Sequence, residues 1–74
     1  MTLDRIGPGD KAKIKKITAK GQLGQRLVSL GFFPGCEVEI IRNAPLVDPV
    51  EIRLDGHMLS IRHNEAACIE VIPV

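Results

Sequence analysis

The sequence predicts a mainly β fold in a single domain spanning residues 1–74, with a small, strongly bent antiparallel sheet and one short α-helix. Three observations support this prediction: several short segments alternate apolar and polar residues, a hairpin-turn motif joins two of them, and no segment is placed to act as a crossover helix. With 74 residues, the core must be small. Folding buries only about 60% of the surface of a chain this short.

The N-terminal half predicts a strand followed by a helix. In the segment DKAKIKKI, apolar residues alternate with lysines until Ile17 falls out of phase, which indicates a half-buried strand with an irregularity near its end. From about Gln22 to Leu30, leucines at positions i, i+4 and i+7 form one stripe of a short helix. We expect Gly24 to weaken this helix and Gly31 to end it in a left-handed cap.

Two phenylalanines follow the helix and lie between two glycines. Phe32 is expected to fold back onto the last helical turn, because it follows the capping glycine. The next four residues, Phe33-Pro34-Gly35-Cys36, fit a type II turn, since proline fixes the first central residue and glycine supplies positive φ at the second. The segment CEVEIIR then predicts a strand with Val38 and Ile40 buried.

The clearest local signal is a β-hairpin around Asp55-Gly56, the preferred pair for a two-residue type I′ turn. The register that this turn implies pairs residues of one apolar face as follows: Leu54 with His57, Ile52 with Leu59, and Val50 with Ile61. The two strands agree about which face is buried, and a slip of one residue would invert one of them.

The remaining segments complete the predicted sheet. The loop NAPLVDP contains two prolines, which lack amide donors and restrict their neighbours, so we expect an ordered loop with Leu46 and Val47 exposed. HNEAA is typical of one helical turn, capped by Asn64. CIEVIPV predicts a last strand with Ile69 and Val71 buried. Five short strands and one early helix together indicate a barrel of the SH3-like kind.

Composition limits the classes of partner. Ten basic and nine acidic residues give a net charge of +1, which is too small for strong attraction to nucleic acid or to an anionic membrane. No segment resembles a signal peptide or a membrane span, so we expect a cytoplasmic protein without direct membrane insertion. Cys36 and Cys68 are expected to be free thiols. Exposed sheet edges leave weak self-association open.

The residue pattern predicts neither catalysis nor a cofactor. The weak candidates for metal binding are His57, His63, Cys36 and Cys68, but they lack the closely spaced ligand pair that is typical of metal sites. Nucleophilic catalysis is disfavoured because no glycine-flanked elbow accompanies a serine or thiol. We therefore expect no intrinsic metal site and no enzyme activity, while a metal-sensing module stays a further hypothesis.

The alternative function is a small nucleic-acid-binding barrel that uses the basic segment Lys11–Lys20. Small barrels bind RNA or single strands by stacking bases on aromatic side chains within a basic groove. The favoured interpretation of the lysines is a solvated strand face that protects a sheet edge from pairing. Recognition of proline-rich peptides is disfavoured because the chain contains no Tyr or Trp.

The segment RLVSLGFFPGCEVEIIRNAPLVDPVEIRLDGHMLSIRHNEAACIEV resembles the FeoA family of small ferrous iron transport proteins. The resemblance rests on the order and spacing of LGFFPG, APLVDP and EAACIEV. It implies an SH3-like barrel and a cytosolic accessory role beside the FeoB-type ferrous iron permease, with recruitment to the inner membrane by that partner. A similar SH3-like domain occurs at the C-terminus of iron-dependent repressors. The resemblance does not imply that this chain binds iron.

The resulting hypothesis is a regulatory adaptor that contacts the cytosolic region of the permease. The predicted partner-binding residues are Leu46, Val47 and Asp48, with Arg26 and Val28 as additional candidates.

Overall fold

The computed structural model describes all 74 residues, 1–74, as one antiparallel sheet with two helices and a short 3-10 turn. In chain order, the elements are the 3-10 turn Leu3–Arg5, β1 (Lys11–Ile17), α1 (Gly21–Leu30), β2 (Glu37–Arg42), β3 (Val50–Leu54), β4 (His57–Ile61), α2 (His63–Ala66) and β5 (Ile69–Pro73). The strands lie in the order β4-β3-β2-β1-β5, with every neighbouring pair antiparallel. The predicted mainly β fold and its early helix are confirmed.

Strand β1 lies inside the sheet, between β2 and β5. Its register against β5 shifts between Ile14 and Lys16, which confirms the predicted irregularity. A bulge bends the strand that carries it and increases its twist, and this one falls where β1 leaves β2 and continues along β5. The suggestion that the lysines of β1 protect a sheet edge is wrong, because both sides of β1 are paired.

Helix α1 ends as predicted. Gly31 adopts the left-handed conformation, with φ 107°, and its N–H donates to the carbonyl oxygen of Val28 at 3.0 Å. The N–H of Phe32 donates to the carbonyl oxygen of Leu27 at 3.2 Å, and the Phe32 side chain is fully buried. The capping glycine therefore turns the chain so that an aromatic ring enters the core beneath the helix.

Gly24 has a packing role that helix propensity alone does not reveal. A Cβ atom at this position would lie 2.6 Å from the carbonyl oxygen of Ala19, closer than real Cβ contacts occur. The absence of a side chain thus allows α1 to approach the segment that precedes it. Gly24 supports the position of α1, although glycine weakens an isolated helix.

The β3–β4 hairpin has the predicted register at every pair, with Asp55 and Gly56 at positive φ in the turn. One side chain departs from the expected burial. The predicted register puts His57 on the inner apolar face, but this residue is exposed, and Leu59 is only half-buried. The reason is that β4 is an edge strand of the sheet. No element covers the inner face of β4 near the hairpin turn, and this part of the face lines an open groove beside α1.

The first ten residues form a part of the fold that the sequence pattern did not reveal. Leu3 and Ile6 are buried in the core. The carbonyl oxygen of Met1 accepts a hydrogen bond from the N–H of Val71 at 2.8 Å, and the carbonyl oxygen of Ile40 accepts one from Gly9 at the same distance. The N-terminal segment therefore contacts both β5 and β2 and covers one end of the core.

We predict that Gly24→Ala lowers the free energy of unfolding by about 1–3 kcal/mol, the usual cost of overpacking. This loss should appear even though alanine favours a helix over glycine by about 1 kcal/mol. Denaturant unfolding measures the change, with Ser29→Ala on the exposed face of the same helix as the matched control. A Gly24→Ala protein as stable as the parent would show that the Ala19 contact relaxes without cost.

Candidate docking site

The β2–β3 loop, residues 43–49, displays two apolar side chains to solvent. Leu46 is fully exposed, and Val47 is 56% exposed, which confirms the predicted exposure of both. The backbone of Leu46 has φ 62°, a left-handed conformation that is uncommon for residues other than glycine. The N–H of Val47 donates to the carbonyl oxygen of Ala44 at 3.1 Å, so the tip of the loop is itself a turn.

Asn43 holds the start of this loop against the N-terminal segment. Its Nδ2 donates to the carbonyl oxygens of Asp4, at 3.1 Å, and Ile6, at 2.9 Å. Its Oδ1 lies 2.9 Å from Nε2 of His63 in α2. One side chain thus joins the loop, the 3-10 turn and α2.

Asp48 holds the end of the loop against the same helix. Its Oδ1 accepts a hydrogen bond from the backbone N–H of His63 at 2.8 Å and lies 2.7 Å from the ring nitrogen Nδ1. The backbone hydrogen bond, followed by the contact with the ring, holds the pKa of the Asp48 carboxyl below its ordinary value. The loop is therefore bonded to α2 at both ends, while its tip is exposed.

Helix α2 begins with a cap that differs from the predicted one. The expectation of a helical turn is confirmed, but Asn64 is not its cap, because Arg62 is the last extended residue and Asn64 lies inside the turn. The Glu65 carboxylate accepts from the backbone N–H of Arg62 at 2.9 Å. Its other oxygen accepts from Nε of Arg26 in α1 at 2.7 Å.

Glu65 is 6% exposed, yet its charge has two partners. The backbone hydrogen bond from Arg62 is the main cause that lowers the pKa of the Glu65 carboxyl, and burial opposes it. The Arg26 guanidinium adds to the lowering. The pairing of a buried carboxylate at both oxygens fixes α2 relative to α1.

The predicted partner-binding residues therefore differ in position. Leu46 and Val47 form the exposed tip of the loop, whereas Asp48 and Arg26 bond to α2. Val28 lies two positions after Arg26, roughly 200° around the helix axis, and lines a shallow depression with Ile17 and Ala19. The structure brings Asp48 and Arg26 against α2, places Leu46 and Val47 at the tip of the adjoining loop and leaves Val28 on another face.

The four weak metal candidates are distributed over three places. Cys36 and His57 line one open groove, whereas His63 bonds to Asp48 and Asn43. The Cys68 thiol lies 3.4 Å from the carbonyl oxygen of Asn64. No group of three or more His, Cys, Asp or Glu side chains is arranged to hold a metal ion.

Sequence reasoning missed the groove between the end of α1 and the hairpin. Phe33 and Met58, at 51% and 56% exposure, are its most exposed apolar residues, and Leu30 and Leu59 also line it. The sequence pattern predicts Phe33 only as part of a turn and assigns no role to Met58. The signal available in the sequence was a bulky apolar residue at a position that a turn or a strand exposes.

The lysines of β1 are exposed, but acidic residues interleave with them. Lys11 lies opposite Glu39 and Lys13 opposite Glu37 on β2. Further along, Lys16 pairs with Glu70 of β5 at 3.6 Å. The outer face of the sheet therefore carries mixed charge, unlike the continuous basic groove that follows a phosphate backbone.

Five antiparallel strands with a short helix after β1 define the chain as an SH3-like β-barrel domain. None of its helices has the length and apolar composition that crossing a bilayer would require. A protein-family model described as the FeoA domain matches residues 1–73. The chain belongs to the FeoA family, whose members are accessory domains of ferrous iron transport.

One similar relative is a Fe(2+) transport protein A/Fe(2+) transporter FeoB fusion protein of Porphyromonas gingivalis. It is 35% identical over 71 residues, which cover 96% of this chain and 8% of the fusion protein. The chain thus spans less than a tenth of the length of that relative.

Solved structures agree with the family assignment. Iron(II) transport protein A of Clostridium thermocellum is 42% identical, with a TM-score of 0.91 over 100% of this chain and 46% of that one. FeoA of Stenotrophomonas maltophilia, an SH3 domain protein complexed with zinc, is 25% identical, with a TM-score of 0.85 over 96% of this chain and 88% of that one.

The predicted likeness to iron-dependent repressors is confirmed at the level of fold. IdeR of T. acidophilum is 23% identical, with a TM-score of 0.86 over 100% of this chain and 34% of that one.

Removing the Glu65 charge should destabilise the protein. We predict that Glu65→Gln lowers the free energy of unfolding by about 1–3 kcal/mol at neutral pH, because the Arg62 N–H and the Arg26 guanidinium lose a charged acceptor. Glu70→Gln is the matched control, since it breaks a more exposed ion pair and should cost about 1 kcal/mol or less. Equal losses in the two variants, measured by urea unfolding, would contradict the role given to Glu65.

The same carboxylate should contribute to acid sensitivity. The pKa of Glu65 is lowered in the folded state. Once the pH falls to the ordinary pKa of a glutamate, about 4.3, the unfolded chain therefore binds more protons than the folded chain. The Glu65 carboxylate therefore stabilises the fold above this pH, and its contribution is lost as the pH falls further. Unfolding curves collected from pH 7 to pH 3 should show a shallower decline for Glu65→Gln than for the parent protein, and parallel declines would contradict this account.

Proposed function

We propose that the chain is a regulatory accessory protein of ferrous iron uptake, and that the tip of the β2–β3 loop contacts the cytosolic region of a FeoB-type permease. One observation carries this proposal: Leu46 and Val47 are exposed on a loop that Asn43 and Asp48 bond to the body of the domain. An apolar side chain on a loop that is already positioned can bind with a small loss of conformational entropy.

The partner is inferred from the relative in which the two proteins form one chain. In the Porphyromonas gingivalis protein, transport protein A and FeoB are fused. A covalent link keeps two modules at a high effective concentration, so that even a weak contact between them is populated. For separate chains, the proposal is that the same contact recruits this protein from the cytoplasm to the inner membrane.

The proposed roles of the five residues follow from their positions. Leu46 and Val47 supply apolar contact, and burying a side chain of this size stabilises an interface by roughly 1.5–3 kcal/mol. Asp48 and Arg26 position the loop and α2 through their hydrogen bonds. Val28, on another face of α1, is proposed only for a separate, additional contact.

Regulation of the permease requires a difference in affinity between its states. A bound protein shifts a conformational equilibrium only if it binds one state more tightly than the other. We therefore propose that the loop recognises a surface whose shape changes during the transport cycle. No chemical step by this chain is part of the proposal.

We predict that Leu46→Asp weakens binding to the purified cytosolic region of a FeoB-type permease about tenfold or more, given the apolar burial lost. The variant should fold normally, because aspartate tolerates the left-handed conformation that Leu46 adopts. Calorimetry or biolayer interferometry measures the affinity, and amide spectra confirm the fold.

Met58→Asp provides the matched control, since Met58 is also an exposed apolar residue but lies in the groove beside α1. The loop proposal requires that Met58→Asp keep the parent affinity. Loss of binding with Met58→Asp and retention with Leu46→Asp would assign the contact to the groove instead.

A further inference from the structure

The orientation of the Asn43 amide determines which of its atoms faces the ring of His63. The amide nitrogen faces the carbonyl oxygens of Asp4 and Ile6, which can only accept hydrogen bonds. A flipped amide would place its oxygen against both carbonyl oxygens. The Asn43 oxygen therefore faces the His63 ring, and Oδ1 can only accept from Nε2, 2.9 Å away.

The other side of the ring gives the same requirement. Nδ1 of His63 lies 2.7 Å from the carboxylate Oδ1 of Asp48. The hydrogen bonds that hold the pKa of Asp48 below its ordinary value favour the ionised carboxylate, which only accepts. Both ring nitrogens thus face acceptors, and only the imidazolium, with a proton on each nitrogen, satisfies both contacts.

The charges on the elements packed around the ring are mixed. Asp48 is the charged group in direct contact with it, and Asp4 directs its carboxylate to the hydroxyl of Thr2. The charged residues on the loop, on α2 and its cap, and on the adjacent 3-10 turn are Asp48, Arg62, Glu65, Asp4 and Arg5. Glu65 is already bonded to Arg26 and Arg62, so Asp48 is the carboxylate available to a protonated His63.

We propose that Asn43, His63 and Asp48 form a proton-sensitive latch that holds the β2–β3 loop firmly against α2 while the His63 ring is doubly protonated and loosens this contact when the ring loses a proton. This histidine latch rests on the proposed function, because it makes the display of Leu46 and Val47 dependent on pH.

Loss of one proton leaves the latch with an unfavourable contact in either neutral tautomer. If the proton stays on Nδ1, the Nε2 lone pair faces the oxygen of Asn43; if it stays on Nε2, the Nδ1 lone pair faces the carboxylate of Asp48. The backbone hydrogen bond from His63 to Asp48 remains in both cases. The amide hydrogen bonds of Asn43 to Asp4 and Ile6 also remain. Loss of the proton therefore removes one of the two ring contacts and loosens the loop against α2 while the rest of the fold persists.

Ring nitrogen NMR on the whole chain tests the latch directly. His57 is the internal reference, because it is the other histidine, is exposed and makes no side-chain hydrogen bond. An unperturbed imidazole titrates near pH 6.5, at about the midpoint of a series from pH 5.5 to pH 8. We expect both ring nitrogens of His63 to carry a proton while the loop is held, and the amide signals of Leu46 and Val47 to shift together with the His63 ring as the pH rises.

Binding measurements test the consequence for the docking site. Between pH 6 and pH 8, the affinity of the parent chain for the cytosolic region of a FeoB-type permease should fall roughly 2- to 12-fold, the factor that corresponds to one net hydrogen bond of about 0.5–1.5 kcal/mol. His57→Gln should keep this fall, and His63→Gln should abolish it. The pair of variants separates titration of the latch from titration of the permease itself.

Some results would overturn the latch. They are a neutral His63 ring in a chain whose loop amides have not moved, loop amides that do not follow the ring, or a pH dependence of binding that persists in His63→Gln. Absence of binding at every pH would instead reject the proposed function, and the ring and amide spectra would then decide the latch alone.

Discussion

The position of the candidate site depends on one buried carboxylate. Glu65 accepts hydrogen bonds from the backbone of Arg62 and from the guanidinium of Arg26, and through them it fixes a helix of only four residues. A helix this short is not stable by itself, because its first turn orders several residues for few hydrogen bonds. The ring of His63 is held in place by this helix, and the β2–β3 loop is held in turn by His63. An interaction between the two helices therefore helps to position the exposed tip of the loop, together with the hydrogen bonds of Asn43 to the N-terminal segment.

The features predicted from the sequence are those whose cause lies within a few residues. The Asp55-Gly56 hairpin, the Gly31 cap and the turn through Gly35 follow from local backbone preferences, which do not need the rest of the fold. The exposure of Leu46 was predictable for the same reason, since the flanking prolines exclude the loop from the sheet.

The features that were not predicted depend on contacts between distant parts of the chain. Residues 43 and 63 meet only because the sheet brings the end of β2 beside α2, and the pattern of either segment contains no sign of the other. The alternation of β4 predicts that His57 points to the inner face of the sheet, yet His57 is exposed. A side chain on the inner face is buried only where another element packs over it. Helix propensity likewise gives no indication that Gly24 lies against the backbone of Ala19.

The two exposed apolar surfaces lie at opposite ends of one strand. The β2–β3 loop enters β3 at Val50, and the groove with Phe33 and Met58 begins where β3 ends at Leu54. Five residues of extended chain separate them by roughly 15 Å. Substitutions at such a separation, without shared partners, act independently to a good approximation. Strand β3 is paired on both sides, so the distance between the two surfaces is fixed. A partner that binds the loop tip must therefore either span this distance to contact the groove as well, or leave the groove exposed to water.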